Sequence, residues 1–346
     1  MTPALFPLAT LAPLPLLALG VGFGGALAFA GLVYMTLFAL LLDQVVARAA
    51  APDGVEFPAA DALLVVLALA HLLALPLAVW AIGGPSGLSA VDRVALFAGF
   101  GLFFGQVSNP VAHELIHRGD RRLFRLGRLV YVTLLFGHHT SAHRLVHHRH
   151  AASRDDPNTA RSGEGFYRFA LRAWVGSFRK GLAAENDLRR RGAKGLHPYA
   201  IYTGGAVLSL LLGWVIAGPA GALVWAGLAA HAQSQLLLSD YVQHYGLMRR
   251  TGPDGRLEPV GDRHSWNAPH GFTAALMLNA PRHSDHHAHP ARPYPALRLP
   301  VPDLAPRLPW SLPVSCVVAL LPPLWRRAMR PRLAQWRAEE AALAQP

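Results

Sequence analysis

Hydrophobic positions dominate the first 110 residues, which are almost uncharged and fall into long apolar runs. Residues 4–20 and 24–46 read as two membrane spans joined at the glycine-rich GVGFGGAL. The second, ALAFAGLVYMTLFALLLDQVVA, is long enough to cross a hydrocarbon core of about 30 Å. A polar loop with Pro52, Asp53 and Gly54 follows. Residues 61–83 form a third span and 92–112 a fourth, separated by GGPSGLSAVDR. The N-terminal run has no Lys or Arg before it, so it reads as part of the membrane domain and not as a cleaved signal peptide.

The pattern changes after the fourth span. Residues 118–200 are polar and basic, and VYVTLLFG at 130–137 is too short to cross, so it is expected to be buried or interfacial. Apolar runs at 201–218 and 220–238, with Gly218-Pro219 at the turn, predict a helical hairpin. A second polar region, 239–310, follows. The apolar piece 311–325 is short and broken at Pro322-Pro323, which predicts a re-entrant or interfacial segment. The fold expected is an all-α integral membrane protein, one domain over 1–346, with about six transmembrane helices and two polar regions, 113–200 and 239–346.

Composition agrees: 52% of residues are hydrophobic and 15% charged, against roughly 25% charged in ordinary soluble domains. The net charge of +12 invites a nucleic-acid reading, but its distribution argues otherwise. Of 32 Lys and Arg residues, 17 lie in 118–200 and 13 after 248, leaving only Arg48 and Arg93. Basic residues confined to the polar regions between spans are the positive-inside pattern, and no nucleic-acid recognition motif accompanies them. Both polar regions are therefore expected on the cytoplasmic side of a bacterial inner membrane. The single cysteine, Cys316, excludes an internal disulfide, a C-x-x-C metal knuckle and a fused iron–sulfur domain.

Candidate chemistry lies in the histidines. Of 18, only His71 precedes position 113, and it reads as a satisfied core histidine inside the third span. His113-Glu114-Leu115-Ile116-His117 puts two imidazoles at i and i+4 on one helical face. Alone, that H-E-x-x-H string fits a zinc protease with Glu114 as general base. His143, His147 and His148 form a second cluster, again with an i, i+4 pair on an expected helix. His283, His286 and His287 form a third, and His244 ends the sixth span. His138, His139, His150, His231, His264, His270 and His289 read as hydrogen-bonding or loop residues. Nine clustered imidazoles exceed what one zinc can use, which implies two metals. Imidazole suits zinc, copper, iron and nickel alike, so ligand type does not choose among them. Glu114, Asp156, Asp240 and Asp285 are candidate carboxylates for holding the ligating rings.

The three clusters, in this order within this topology, resemble the membrane non-haem di-iron superfamily of fatty acid desaturases and alkane monooxygenases. GEGFYRFALRAWVGSFRKGLAAENDLRRRG, SDYVQHYGLMRRTGPDGRLEPVGDRHSWNAPH and RHSDHHAHPARPYPAL resemble its alkane 1-monooxygenase branch in particular. The resemblance runs from about the third span to about residue 335. It implies a ligand set of His113, His117, His143, His147, His148, His244, His283, His286 and His287 for two non-haem irons, with no catalytic residue beyond the ligands. It also implies reduction by an external rubredoxin or ferredoxin and insertion of one atom of O2 into the terminal C–H of an alkane or related apolar chain. A lipid or fatty acyl desaturase or hydroxylase of the same superfamily is the nearest alternative, and a membrane zinc metalloprotease a more remote one. The chain departs from the family pattern at Ala142 and Gln243, where acidic residues are usual, at Asp240, where Asn is usual, and at Ala280-Pro281.

Overall fold

A computed structural model describes residues 3–46 and 60–343; the loop around Pro52–Gly54 and Arg48 lie outside the described residues. It is all-helical, with no β-strand among the described residues beyond two isolated bridges. Five helical stretches are long and apolar enough to cross a membrane: α1 (Leu5–Phe23), α2 (Gly25–Val45), α3 (Ala60–Gly83), α4 (Ala90–His117) and a fifth over Pro198–Gln243.

The fifth stretch is two limbs. Ala217 (φ −148°, ψ 30°) and Gly218 (φ 60°, ψ −151°) are non-helical, and a Cβ on Gly221 would lie 2.0 Å from the carbonyl oxygen of Gly213. Residues eight apart in a straight helix stand about 12 Å apart along its axis, so the chain reverses there. The hairpin expected from Gly218-Pro219 is present, with limbs longer than the apolar runs alone.

Both ends of the helix layer are pinned by polar contacts. Where α4 begins, Ser89 and Asp92 form a capping box, and Asp92 also accepts the backbone N–H of Gly25 at 2.9 Å. Arg93 donates to the carbonyls of Ile82, Gly84 and Leu88, closing the C-terminus of α3. At the opposite end, Arg118 pairs with Asp61 at 3.1 Å, joining the end of α4 to the start of α3. Asp43, near the end of α2, accepts from both the N–H (2.9 Å) and the hydroxyl (2.8 Å) of Thr273.

The polar regions fold against that second end. They comprise α5 (Arg121–Thr133), a histidine-bearing helical stretch at 139–150, α6 (Phe166–Arg190), α8 (Gly271–Leu276), α9 (His283–Ala288), α10 (Leu312–Ala319) and α11 (Pro322–Leu343), with α7 (Pro198–Gln243) between α6 and α8. The 130–137 segment is part of α5 and the turn after it; Val130, Tyr131 and Val132 are buried, as expected. The carbonyl oxygens ending α5 are taken up by the second limb of α7: Trp225 donates to Thr133 and Gln233 to Leu134, each at 2.8 Å. His71 is buried in the core as expected, with Nε2 2.9 Å from the Thr133 hydroxyl, while its Nδ1 meets no partner among the described residues. The 311–325 piece becomes α10 and the start of α11, and α10 lines a cavity.

Candidate metal centre

Three helical segments and the end of a fourth converge at the end of the helix layer where Arg118 pairs with Asp61. α4 brings His113 and His117, the 139–150 stretch brings His143, His147 and His148, α7 ends at His244, and α9 opens with His283. All nine sequence-implied histidines are gathered there, in two groups. His113, His117, His143, His148 and His286 form one; His147, His244, His283 and His287 form the other. Within each group the candidate donor atoms lie within 4.8 Å of one another.

Local backbone geometry explains the partition. His113 and His117 follow ordinary α-helical spacing and share a group. The second cluster does not behave as an i, i+4 pair, because His143–His147 is a π-helical turn. The extra residue per turn brings His143 and His148 together, their Nε2 atoms 2.9 Å apart, and sends His147 to the other group. On α9, His283 and His287 point the same way, with Nε2 atoms 3.1 Å apart. His286, about 100° round the helix from His287, reaches Nε2 of His148 at 3.1 Å.

The nitrogen contacts fit a cation better than hydrogen bonding. His143 Nε2 stands 2.9, 3.1 and 2.9 Å from the Nε2 atoms of His113, His117 and His148. A neutral imidazole carries one proton, so one nitrogen cannot satisfy three such contacts. Imidazole binds a first-row metal at about 2.0–2.1 Å, and two such donors at right angles are then about 3.0 Å apart. The observed separations match those expected of imidazoles that could share an ion, and a five-histidine group exceeds the four ligands of a structural zinc site.

Burial keeps these rings in the ligating form. It pushes His143, His148, His283, His286 and His287 well below the ordinary imidazole value, and His244 down to about 3. His147 differs. Burial pushes it down, but the carboxylate of Asp156, 2.9 Å from Nδ1, pushes it up and prevails. Burial alone would raise Asp156; the charge and hydrogen bond of His147 instead hold it at about 2. The carboxylate beside Nδ1 favours a proton on that nitrogen, so the neutral ring carries its lone pair on Nε2.

The candidate carboxylates divide. Asp156 touches the His147 ring directly, and also accepts from the Thr159 hydroxyl (2.7 Å) and the Asn158 N–H (3.0 Å). Asp240 is one residue further out, accepting from the Asn158 side chain at 2.5 Å. Glu114 accepts from the Tyr294 N–H at 3.0 Å, tying the ligand helix to the loop after α9. Asp285 pairs with Arg292 and His289 and accepts from the Arg298 N–H, so its partners belong to that loop and not to the nine rings. Sequence reasoning missed Asn158 and Ser141. Asn158 bridges the two acids, while Ser141 meets Glu185 (2.6 Å) and Tyr202 (2.7 Å) behind the second cluster. A polar residue two before a histidine cluster was the only available signal for Ser141.

A cavity of about 740 Å³ ends at the histidines. His113, His143 and His286 of the first group and His283 of the second line it, and its remaining wall is mostly apolar. Two lining residues, Leu37 on α2 and Val317 on α10, are 57% and 64% exposed, so it opens sideways among apolar side chains.

Comparison with known proteins points the same way. The family described as fatty acid desaturase matches residues 88–316, which spans α4 to α10 and all nine histidines. The chain is 34% identical over 274 residues to an alkane 1-monooxygenase of Pseudomonas putida, covering 77% of this chain and 66% of that protein. It is 32% identical to an alkane 1-monooxygenase 2 of Pseudomonas aeruginosa, covering 75% and 70%. It is 30% identical to the xylene/toluene monooxygenase hydroxylase component XylM of P. putida, covering 66% and 61%. The chain thus spans about two thirds of the length of these relatives.

Proposed function

The chain belongs to the fatty acid desaturase family, and on that premise we propose that it is a membrane-bound non-haem di-iron monooxygenase. The reaction inserts one atom of O2 into the terminal C–H bond of an alkane or related apolar chain. The other atom leaves as water, with two electrons from a rubredoxin or ferredoxin and two protons. One observation carries this reading: members of both histidine groups line a mostly apolar cavity that also reaches exposed apolar side chains on α2 and α10.

His113, His117, His143, His148 and His286 would hold one iron, and His147, His244, His283 and His287 the other. Bound iron supplies activation of O2 at the cavity end. The chain's own residues do the rest. Asp156 keeps the proton of His147 on Nδ1. The apolar wall binds the chain end-on and excludes water from the reacting carbon. The Arg-rich regions give the site a cytoplasmic, inner-membrane setting under the positive-inside rule, within reach of a soluble electron donor. Steering of an acidic donor by that charge would weaken with salt.

The test is iron quantification on detergent-purified protein, followed by O2-dependent turnover of alkanes with rubredoxin and its reductase. Wild type is expected to hold about two irons and His286→Ala about one or fewer. Unchanged iron in the variant refutes the ligand assignment, and an alkene product without alcohol refutes hydroxylation in favour of desaturation.

A further inference from the structure

Polar side chains recur along the apolar cavity at helical spacing. His231, Gln235 and Ser239 follow one another at i, i+4 on the second limb of α7, and all three line it. Gln106 and Asn109 of α4 line it as well, Asn109 donating its amide to the Ala232 carbonyl of α7 at 2.8 Å. Polar residues inside spans join helices by hydrogen bonds or mark ligand paths.

Two of them are seated by design of the opposite helix. A Cβ on Gly101 would come 2.7 Å from Nδ1 of His231, and one on Gly105 would come 2.1 Å from the amide of Gln235. Two glycines one turn apart on α4 thus make room for two polar groups one turn apart on α7. Gln235 Nε2 donates to the Gly101 carbonyl at 2.8 Å, which fixes the amide and directs its oxygen elsewhere. The buried amide oxygens of Gln106 and Asn109 meet no donor among the described residues. Leaving such acceptors unpaired is costly, and a hydroxyl or amide N–H of a ligand would relieve that.

Charge narrows the head group. Among the described residues no Lys or Arg lines the cavity, whereas the carboxylates Glu114 and Asp240 do. A buried anionic head would meet acids and no cation, so the polar strip suits a neutral group. Gln235 lies nine residues before His244, a rise of about 14 Å, roughly the reach of a chain of ten to twelve carbons.

We propose that the cavity takes a medium-length aliphatic chain bearing a neutral hydrogen-bonding head, such as a primary alcohol, held by Gln235 and Gln106 with its far methyl at the histidine groups. This rests on the hydroxylase reading. The same stoichiometry applies: one O2, two electrons from the donor protein and two protons convert the far C–H into C–OH plus water, giving an α,ω-diol.

The holoenzyme is offered dodecane and 1-dodecanol in competition, and each ligand's effect on the thermal midpoint is measured separately. One added hydrogen bond is expected to favour ω-hydroxylation of the alcohol by about two- to tenfold. Dodecanoate is expected to be the poorest of the three chains. The alcohol-to-alkane ratio is expected to fall towards unity in Gln235→Met, with Gln106→Met as the second variant should the first not fold. An equal preference in wild type, or a ratio unmoved in both variants, overturns the proposal and leaves the two glutamines as packing groups. If neither chain is oxidised yet the alcohol alone stabilises the protein through Gln235, hydroxylation fails and the head-group site stands.

Discussion

Replacing Asp156 by Asn changes one oxygen to nitrogen in a fully enclosed network, and its effect can be followed atom by atom. One carboxylate oxygen accepts from Nδ1 of His147 and the Thr159 hydroxyl; the other accepts from the Asn158 backbone N–H. If the new NH2 faces His147, it needs a lone pair on Nδ1, which moves the ring proton to Nε2 and blocks the nitrogen meant for the metal. If the amide turns round, the NH2 meets the fixed N–H of Asn158, a buried donor–donor contact. The first orientation takes a competent ligand from the four-histidine group and the second weakens the network that holds the His147 ring, while the five-histidine group keeps all of its own. Partners of this kind are worth about 10–100-fold in metal affinity, or roughly 1.4–2.8 kcal/mol. Titration of metal-stripped protein with Fe(II) is expected to show one site weakened by that factor and one unchanged. Circular dichroism checks that the fold is intact. Two unchanged sites, or two equally weakened ones, would refute the assignment of Asp156 to one group.

Other outcomes follow from the same geometry. Metal-stripped protein is expected to lose thermal stability as pH falls below about 6.5. His143, His283, His286 and His287 have depressed values in the folded state, so the unfolded chain binds more protons there; each ring adds a slope of up to about 1.4 kcal/mol per pH unit. His147, with its raised value, opposes this by a single ring, and a midpoint flat from pH 7.5 to 5.5 would contradict the burial argument. Gly105→Ala drives a Cβ into the Gln235 amide and is expected to cost about 1–3 kcal/mol by thermal denaturation in detergent. Asp43→Ala removes both acceptors for Thr273 at the first turn of α8 and is expected to cost about 0.5–2 kcal/mol, measured likewise; no change would mean solvent replaces the cap.

The sequence makes some of this legible and conceals the rest for identifiable reasons. Spans are readable because a bilayer demands unbroken apolar length, and the α7 turn because Gly218-Pro219 cannot continue a helix. The pair His113 and His117 is readable because its helix is regular. The pair His143 and His148 is not, since a π-helical turn has no residue signature and the visible spacing suggests His143 with His147. Asp285 sits inside the richest motif, yet its oxygens go to Arg292, Arg298 and His289, a choice made by the later loop. The polar strip stays hidden because His231 and Gln235 on α7 and Gln106 on α4 belong to separate spans, which come together only where Gly101 and Gly105 let the helices approach.

The two histidine groups differ in a way that sets the order of metal loss. In the five-histidine group His113, His117 and His148 are slightly exposed; in the four-histidine group all members are buried. Ligand count favours tighter binding by the first group, and exposure favours faster removal from it. Affinity and rate therefore pull in opposite directions. A strong chelator works from solvent, so at early times it is expected to take the metal held by the five histidines, in a fast phase followed by a slow one. At low chelator, where equilibrium decides, the four-histidine group is expected to empty first. Asp156→Asn weakens that group alone, so it is expected to shorten the slow phase and leave the fast one unchanged. A single release phase in wild type would show that the two groups exchange metal faster than either opens. The structure gives a physical reason against that: His147, His244, His283 and His287 have no exposed member through which an ion could pass without displacing a buried ring.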